Sequence, residues 1–400
     1  MRRFFVFLLT AALTLGLAAT ARAQTAVTVT EVQMEYLFGD HVTFAANVQP
    51  ASGLQETLVF FQAEGDSVTR VAPLEVAADG SASSRIEVRD APLRPFARVS
   101  FWFRITPAGG EAFTSPHYFF HYTDNRVVWQ TLEDASVSIH WYDGDAAFGQ
   151  AAFDTAHASL QAFNELIPVT LTAPVNVYIY ATAADLQSAI GAQAWVAGHA
   201  SPDLGVALTS ITPGEEQMLV MQRQIPHEMA HVLLYQKMGA AYNNLPTWLS
   251  EGIASSLELY PNSDYMLAIQ IASQNDALLP LADLCGPFPQ DASGAFLAYA
   301  ESDRVTRYIL DTYGTSGLQA LVQAYTDGLD CNRGVERALG ISLVQLDRQW
   351  RWAVLGEGGA DAAFENLLPY LVVLTVILAV PAWGGLAIKR KREDGTRKRK

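Results

Sequence analysis

Two histidines and a glutamate stand at a spacing that can build a metal centre. His227 and His231 flank Glu228 in the run His-Glu-Met-Ala-His. Residues four apart on a helix leave the same face, so both imidazole rings can converge on one Zn2+ ion. Glu228, next to the first histidine, reaches the edge of such a site and can take a proton from a zinc-bound water. The pattern predicts metal-assisted hydrolysis.

A carboxylate further along the chain can supply the third ligand. Glu251 lies twenty residues after His231, in a segment predicted to be helical from Thr247 to Glu258. Three protein ligands leave the fourth position of a tetrahedral zinc site open for water. His227, His231 and Glu251 are therefore the predicted metal ligands, and Glu228 is the predicted catalytic base.

The residues around the histidine motif exclude two classes of peptidase that share it. Leu234 and Lys237 stand where a metzincin would place glycine and histidine. Intramembrane proteases carry the motif inside a bilayer span, but Arg223 and Gln236 flank it here. The predicted helix therefore belongs to a water-exposed domain.

The second helix carries a family resemblance. Leu245-Pro-Thr-Trp-Leu-Ser-Glu-Gly-Ile-Ala254 resembles the P-x-W-L-x-E-G-x-A segment of bacterial peptidase MA-like proteins, which are gluzincins. The resemblance covers about residues 127–355. It implies a thermolysin-like domain with a small sheet over the first zinc helix and a helical lobe that closes the cleft. It also implies peptide binding along an edge strand just before that helix, for which Gly205–Ile211 is the candidate.

Two parts of the site are left open by the sequence. Ser255 stands where thermolysin-like enzymes often carry an aspartate that orients a zinc histidine, so we expect a backbone carbonyl or a strand residue in that role. A donor to the developing oxyanion is also expected. Its candidates are Tyr299, Tyr308, Tyr235 and His199.

The elements around the motif indicate an α+β domain over residues 126–355. Strands and helices alternate up to the motif, and helices alone follow it. Pro226 is expected at the start of the first zinc helix, where proline is tolerated, and Gly239 at its end.

Residues 24–125 have the pattern of a separate all-β domain. Short segments such as His41–Val48 alternate polar and apolar residues at period two, with turn residues between them. Strands at this spacing predict an immunoglobulin-like sandwich.

The N-terminus has the features of a secretory signal peptide over residues 1–23. Two arginines precede the apolar stretch Phe4–Thr20, and Ala21-Arg-Ala23 forms a cleavage signal. The mature chain is therefore expected outside the cytoplasm.

The C-terminus has the pattern of a membrane anchor. After a linker at 356–366, residues 367–388 carry no charge and would span about 33 Å as a helix. The tail 389–400 holds eight basic residues and two acidic ones, which predicts a cytoplasmic location. The expected topology is a single-pass type I protein of the cell membrane with an extracytoplasmic catalytic domain.

The charge of the chain limits its partners, and its cysteine content predicts a disulfide. The exported part carries 15 basic and 39 acidic side chains, which excludes nucleic acid as a partner. Cys285 and Cys331 are the two cysteines, and outside the cytoplasm we expect them to form a disulfide.

The sequence predicts two alternative functions. The first is a membrane-anchored extracytoplasmic zinc metallopeptidase that hydrolyses peptides or proteins. The alternative is a catalytically weak or inactive surface binding or adhesion protein on a metallopeptidase scaffold. The predicted N-terminal sandwich, the predicted anchor and the absent aspartate at Ser255 favour it. The intact Glu228 favours the peptidase, because a binding site needs no base.

Overall fold

The computed structural model describes residues 26–191 and 197–356, together with Leu367, Tyr370, Leu371 and Val373. The chain divides into two compact units, Met1–Val128 and Trp129–Lys400. In the described ranges no helix has the length and apolarity needed to cross a bilayer. The signal peptide at 1–23 and nearly all of the predicted linker, span and tail lie outside the described residues, so these assignments stay predictions.

The strands of the first unit follow the period-two alternation of the sequence. They are β1 (Thr28–Leu37), β2 (His41–Gln49), β3 (Leu54–Ala63), β4 (Arg70–Pro73), β5 (Glu75–Val76), β6 (Ser81–Glu87), β7 (Arg98–Pro107), β8 (Phe113–Thr114) and β9 (Tyr118–His121). One sheet has the order β1-β2-β6-β5, and the other has the order β4-β3-β7-β8 with β9 paired to β7.

Aromatic side chains join the two sheets of this unit. The ring of Phe44 on β2 lies 5.4 Å from that of Phe61 on β3 and 4.8 Å from that of Phe101 on β7. All three residues are buried, and every second residue of β2 faces the same apolar layer. The predicted all-β region is confirmed as packed β-sheets, and its immunoglobulin-like topology stays a prediction.

The second unit begins with strands and helices and continues with helices. Its elements are β10 (Gln130–Glu133), β11 (Val137–Trp141), α1 (Ala146–Leu166), β12 (Val175–Tyr180), α2 (Ala183–Ile190), β13 (Gly198–Ser201), β14 (Val206–Ser210), α3 (Gln217–Met238), α4 (Thr247–Ser256), α5 (Asp264–Gln274), α6 (Ala292–Thr326), α7 (Cys331–Leu339) and α8 (Leu343–Leu355). The predicted mixed α+β class is confirmed.

The sheet of the second unit has the strand order β10-β11-β12-β14-β13. Strands β11, β12 and β14 run parallel, and β10 and β13 pair antiparallel at the two ends. The expectation that Gly205–Ile211 is the edge strand is wrong, because β14 is paired on both sides. Among the described residues the edge next to α3 is β13, whose Gly-His-Ala-Ser sequence has no apolar run that would mark a strand.

A single apolar core joins this sheet to the helices. Val177 of β12 and Ala207 of β14 are fully buried in the same cluster as Phe163 of α1 and Met229 of α3. Met229 lies two residues after His227 and two before His231, so its side chain leaves the face of α3 opposite the two histidines. That opposite face packs against the sheet. The sheet thereby sets the rotation of the helix that carries both histidines.

The helices α4 and α6 approach each other closely at a glycine. A Cβ atom on Gly252 would clash with the carbonyl oxygen of Ser302 and with Oγ1 of Thr306. Gly252 follows Glu251 directly, so the predicted carboxylate ligand stands next to a point of close contact between α4 and α6. Only glycine permits this approach.

A disulfide fastens the segment before α6 to the start of α7. Cys285 and Cys331 are bonded, with their Cα atoms 6.1 Å apart, which confirms the predicted bridge. The bridged segment is also tied to α6, since the backbone N–H of Leu279 donates to Glu301. It carries Phe288, whose ring lies 5.3 Å from that of Tyr299.

Removal of the bridge tests its contribution to stability. We expect the double substitution Cys285→Ser and Cys331→Ser to lower the free energy of unfolding by about 4 kcal/mol, because the unfolded chain regains the entropy of a long loop. The measurement is urea denaturation of the oxidised wild type and the variant. Equal midpoints would show that the bridge does not stabilise the fold.

Candidate metal centre

Helices α3 and α4 bring three metal-ligating side chains together. Nε2 of His227 lies 3.3 Å from Oε2 of Glu251, and Nε2 of His231 lies 3.4 Å from the same oxygen. One ligand atom from each residue falls within 4.8 Å of the others, and the group can hold a metal ion. The three side chains are 9–18% exposed, so the site is largely shielded from solvent.

The helix that carries the histidines is longer than the sequence suggested. α3 begins at Gln217, so the expectation that Pro226 starts the helix is wrong and the proline lies in its interior. A proline has no N–H to donate to the carbonyl four residues earlier, which is that of Gln222. That carbonyl accepts instead from the backbone N–H groups of Leu259 and Tyr260, at 2.8 and 3.2 Å. The helix ends at Gly239 as predicted.

A buried glutamate orients His227. Nδ1 of His227 donates to Oε1 of Glu258 over 3.2 Å, and the Glu258 side chain is 4% exposed. The other carboxylate oxygen lies 3.9 Å from Nε of Arg223. The expectation of a backbone carbonyl or strand residue in place of Ser255 is therefore wrong. Glu258 lies seven residues after Glu251, just beyond the end of α4 at Ser256. A helix continued to Glu258 would place both carboxylates on one face, and this spacing is the signal in the sequence that could identify Glu258.

Two hydroxyl groups orient His231. Its Nδ1 lies 3.1 Å from Oη of Tyr242 and 3.1 Å from Oγ of Ser250, and these two oxygens lie 3.2 Å apart. Partners at Nδ1 fix the ring and leave Nε2 directed at Glu251, the arrangement that metal-ligating histidines require. Neither hydroxyl was identified from the sequence, since serine and tyrosine have no characteristic spacing to the motif.

The site concentrates buried negative charge. Burial raises the pKa of Glu251, but the charges and hydrogen bonds of His231 and His227 lower it by more, so the group is ionised. Burial lowers the pKa of His227, while hydrogen bonds to Glu251 and Glu258 raise it well above its usual value. With Glu228, three carboxylates surround two imidazoles. A divalent cation at the Nε2 atoms would balance this charge, so the donor set fits zinc.

Glu228 lies between α3 and the edge strand. The residue is 9% exposed, and burial raises the pKa of its carboxyl group. A Cβ atom on Gly198 of β13 would clash with Oε1 of Glu228. The absence of a side chain at Gly198 is what leaves room for the carboxylate beside the histidines.

One of the three ligands, His227, lines a cavity of about 560 Å³ together with Glu228. This volume falls within the range of about 300–1,000 Å³ that is usual for ligand sites. The cavity lies among α3, β13, α5 and the start of α6. Its lining includes His227, Glu228, Glu258, Gly198, Phe296 and Tyr299.

Tyr299 and His199 lie at this cavity, among the four candidates for the oxyanion donor. The ring of Tyr299 is 6.1 Å from that of His227. Burial raises the pKa of Tyr299, and the charges of Glu251 and Glu228 raise it further, so its phenol stays protonated and can donate.

The other two candidates have contacts elsewhere. Tyr308 donates a hydrogen bond to Oε1 of Gln349 on α8. The ring of Tyr235 lies 6.0 Å from that of Tyr242, behind His231. Neither residue lines the cavity described above.

The sequence matches a known family over the whole of this site. The Peptidase MA superfamily model aligns with residues 155–356, just over half of the chain, and the protein belongs to this superfamily. No curated protein matches the sequence.

Two solved structures show distant likeness. An aminopeptidase N family protein from Idiomarina loihiensis is 10% identical over 81% of this chain and 69% of its own, with a TM-score of 0.30. OgpA from Akkermansia muciniphila is 16% identical over 25% of this chain and 30% of its own, with a TM-score of 0.20. TM-scores this low support no inference about fold or function.

The role of Glu258 can be measured as metal affinity. We expect Glu258→Gln to weaken zinc binding about 10- to 100-fold, because a neutral amide orients and polarises His227 less well than a carboxylate. The measurement is competition with a chromophoric chelator, with the exposed Glu165→Gln as the matched control. Wild-type affinity in Glu258→Gln would refute this role.

Proposed function

We propose that the protein is a zinc metallopeptidase in which His227, His231 and Glu251 hold the metal and Glu228 is the base. The observation that carries the proposal is the convergence of two Nε2 atoms and one carboxylate oxygen on a group whose His227 lines a cavity together with Glu228. Membership of the Peptidase MA superfamily supports it.

The chemistry divides between the metal and the chain. Zinc, when bound, would polarise the scissile carbonyl and lower the pKa of a water molecule. Glu228 accepts a proton from the attacking water at its carboxylate and returns it to the nitrogen of the leaving amine. Burial raises the pKa of Glu228 and so brings the carboxyl group closer to the range in which it can both take and give a proton.

The substrate is proposed to be a peptide or protein that lies along β13. This strand is the edge of the sheet next to α3, and Gly198 on it lies next to Glu228. Main-chain pairing to an edge strand holds an extended peptide without reading its side chains. The carbonyl groups of the bound peptide would then pass beside Glu228.

We also propose that this activity lies outside the cytoplasm, with the chain anchored through residues 367–388. The disulfide between Cys285 and Cys331 supports an oxidising compartment. The basic tail at 389–400 supports a cytoplasmic C-terminus.

The alternative of an inactive binding scaffold loses one of its supports. This support was Ser255, which stands where an orienting aspartate was expected. Glu258 pairs with His227 instead, and hydroxyl groups pair with His231. Both histidines therefore have the partners that a working site requires.

The base is tested by Glu228→Gln. We expect hydrolysis of a casein or mixed-peptide substrate to fall by about 100-fold or more, because the amide cannot accept the proton, while zinc binding is kept. The measurements are turnover and metal content of the same preparation. Wild-type turnover in the variant would rule out Glu228 as the base.

The oxyanion donor is tested by a matched pair of tyrosines on α6. We expect Tyr299→Phe to lower kcat by about 100-fold with a smaller change in KM, because the lost hydroxyl acts on charge that develops in the transition state. Tyr308→Phe removes the same group from the same helix, away from the cavity, and should keep its kcat. Equal kcat values in the two variants would exclude Tyr299.

A further inference from the structure

The carbonyl of Gln222 joins the two helices that carry the ligands. It accepts from Leu259 N–H at 2.8 Å and from Tyr260 N–H at 3.2 Å, just beyond the end of α4. In an unbroken helix this carbonyl would accept from the residue four positions later, which is Pro226. Proline has no N–H, so the acceptor is free for the neighbouring segment.

This contact lies beside the pair that orients His227. Pro226 precedes His227 on α3, and Leu259 follows Glu258 just beyond the end of α4. The segment after α4 is thus attached to α3 twice, through the Gln222 carbonyl and through the Glu258 side chain. The two attachments fix both the position of the backbone and the direction of the carboxylate.

We propose that Pro226 is a positioning residue for the metal centre. By withholding an N–H group it reserves the Gln222 carbonyl for Leu259 and Tyr260, and so keeps Glu258 in register with His227. The inference rests on the proposed function, because it concerns how strongly this site holds zinc. If Pro226 affected α3 alone, its replacement by alanine would not weaken zinc binding. The replacement would stabilise the helix, because proline destabilises a helix interior.

The test compares Pro226→Ala with the wild type in zinc affinity and thermal stability. Alanine supplies an N–H that competes for the Gln222 carbonyl. We expect zinc binding to weaken about 10- to 100-fold, the range for loss of a partner to a metal ligand, with no fall in Tm. Met218→Ala, an exposed substitution in the first turn of the same helix, is the control and should keep wild-type affinity.

A double-substitution cycle shows whether Pro226 acts through Glu258. Once Glu258→Gln has removed the carboxylate, adding Pro226→Ala should weaken zinc binding little further. Leu259→Pro deletes one N–H donor from the other side of the contact and should weaken binding in the same direction, which keeps the test open if Pro226→Ala does not fold.

The outcomes are separable from those of the proposed function. Wild-type zinc affinity in both Pro226→Ala and Leu259→Pro overturns the inference. The inference is also overturned if the losses of zinc affinity in Pro226→Ala and Glu258→Gln add fully in the double variant, because Pro226 would then act independently of Glu258. A wild-type protein that binds no zinc refutes the proposed function instead.

Discussion

The second unit depends on one geometric constraint: two imidazole nitrogens and one carboxylate oxygen from separate helices must converge within a few ångströms. His227 and His231 lie on α3, and Glu251 lies on α4, with its carboxylate oxygen 3.3 and 3.4 Å from their Nε2 atoms. A helix rotated by one residue would turn its ligands by about 100°. The sheet beneath α3 and the close contact of Gly252 with α6 prevent such rotation.

A second constraint is the burial of charge. An isolated buried carboxylate is costly, and it is tolerated when it is paired and hydrogen-bonded. Glu258 meets this condition through His227 on one oxygen, with Arg223 facing the other. Glu251 meets it through both histidines. The same contacts that make burial tolerable also orient the imidazole rings, so electrostatic stability and the geometry of the candidate metal centre have a common origin.

Much of this site could be predicted from the spacing of residues in the sequence. The helical period determines, from the number of residues between two positions, whether their side chains leave the same face of a helix. His227, His231 and Glu251 stand together as the motif predicts. Other features depend on tertiary contacts that leave a weak trace in sequence. Glu258 lies beyond the end of α4, Gly198 belongs to a strand without an apolar run, and Pro226 lies inside a helix that local preference would begin there.

The most direct measurement is metal identification by anomalous diffraction from crystals of the purified protein. We expect one stoichiometric zinc ion, with its anomalous peak about 2 Å from Nε2 of His227, from Nε2 of His231 and from a carboxylate oxygen of Glu251. A crystal that holds no metal at these three atoms after zinc has been supplied, or that holds it on other side chains, would contradict a zinc centre built by His227, His231 and Glu251.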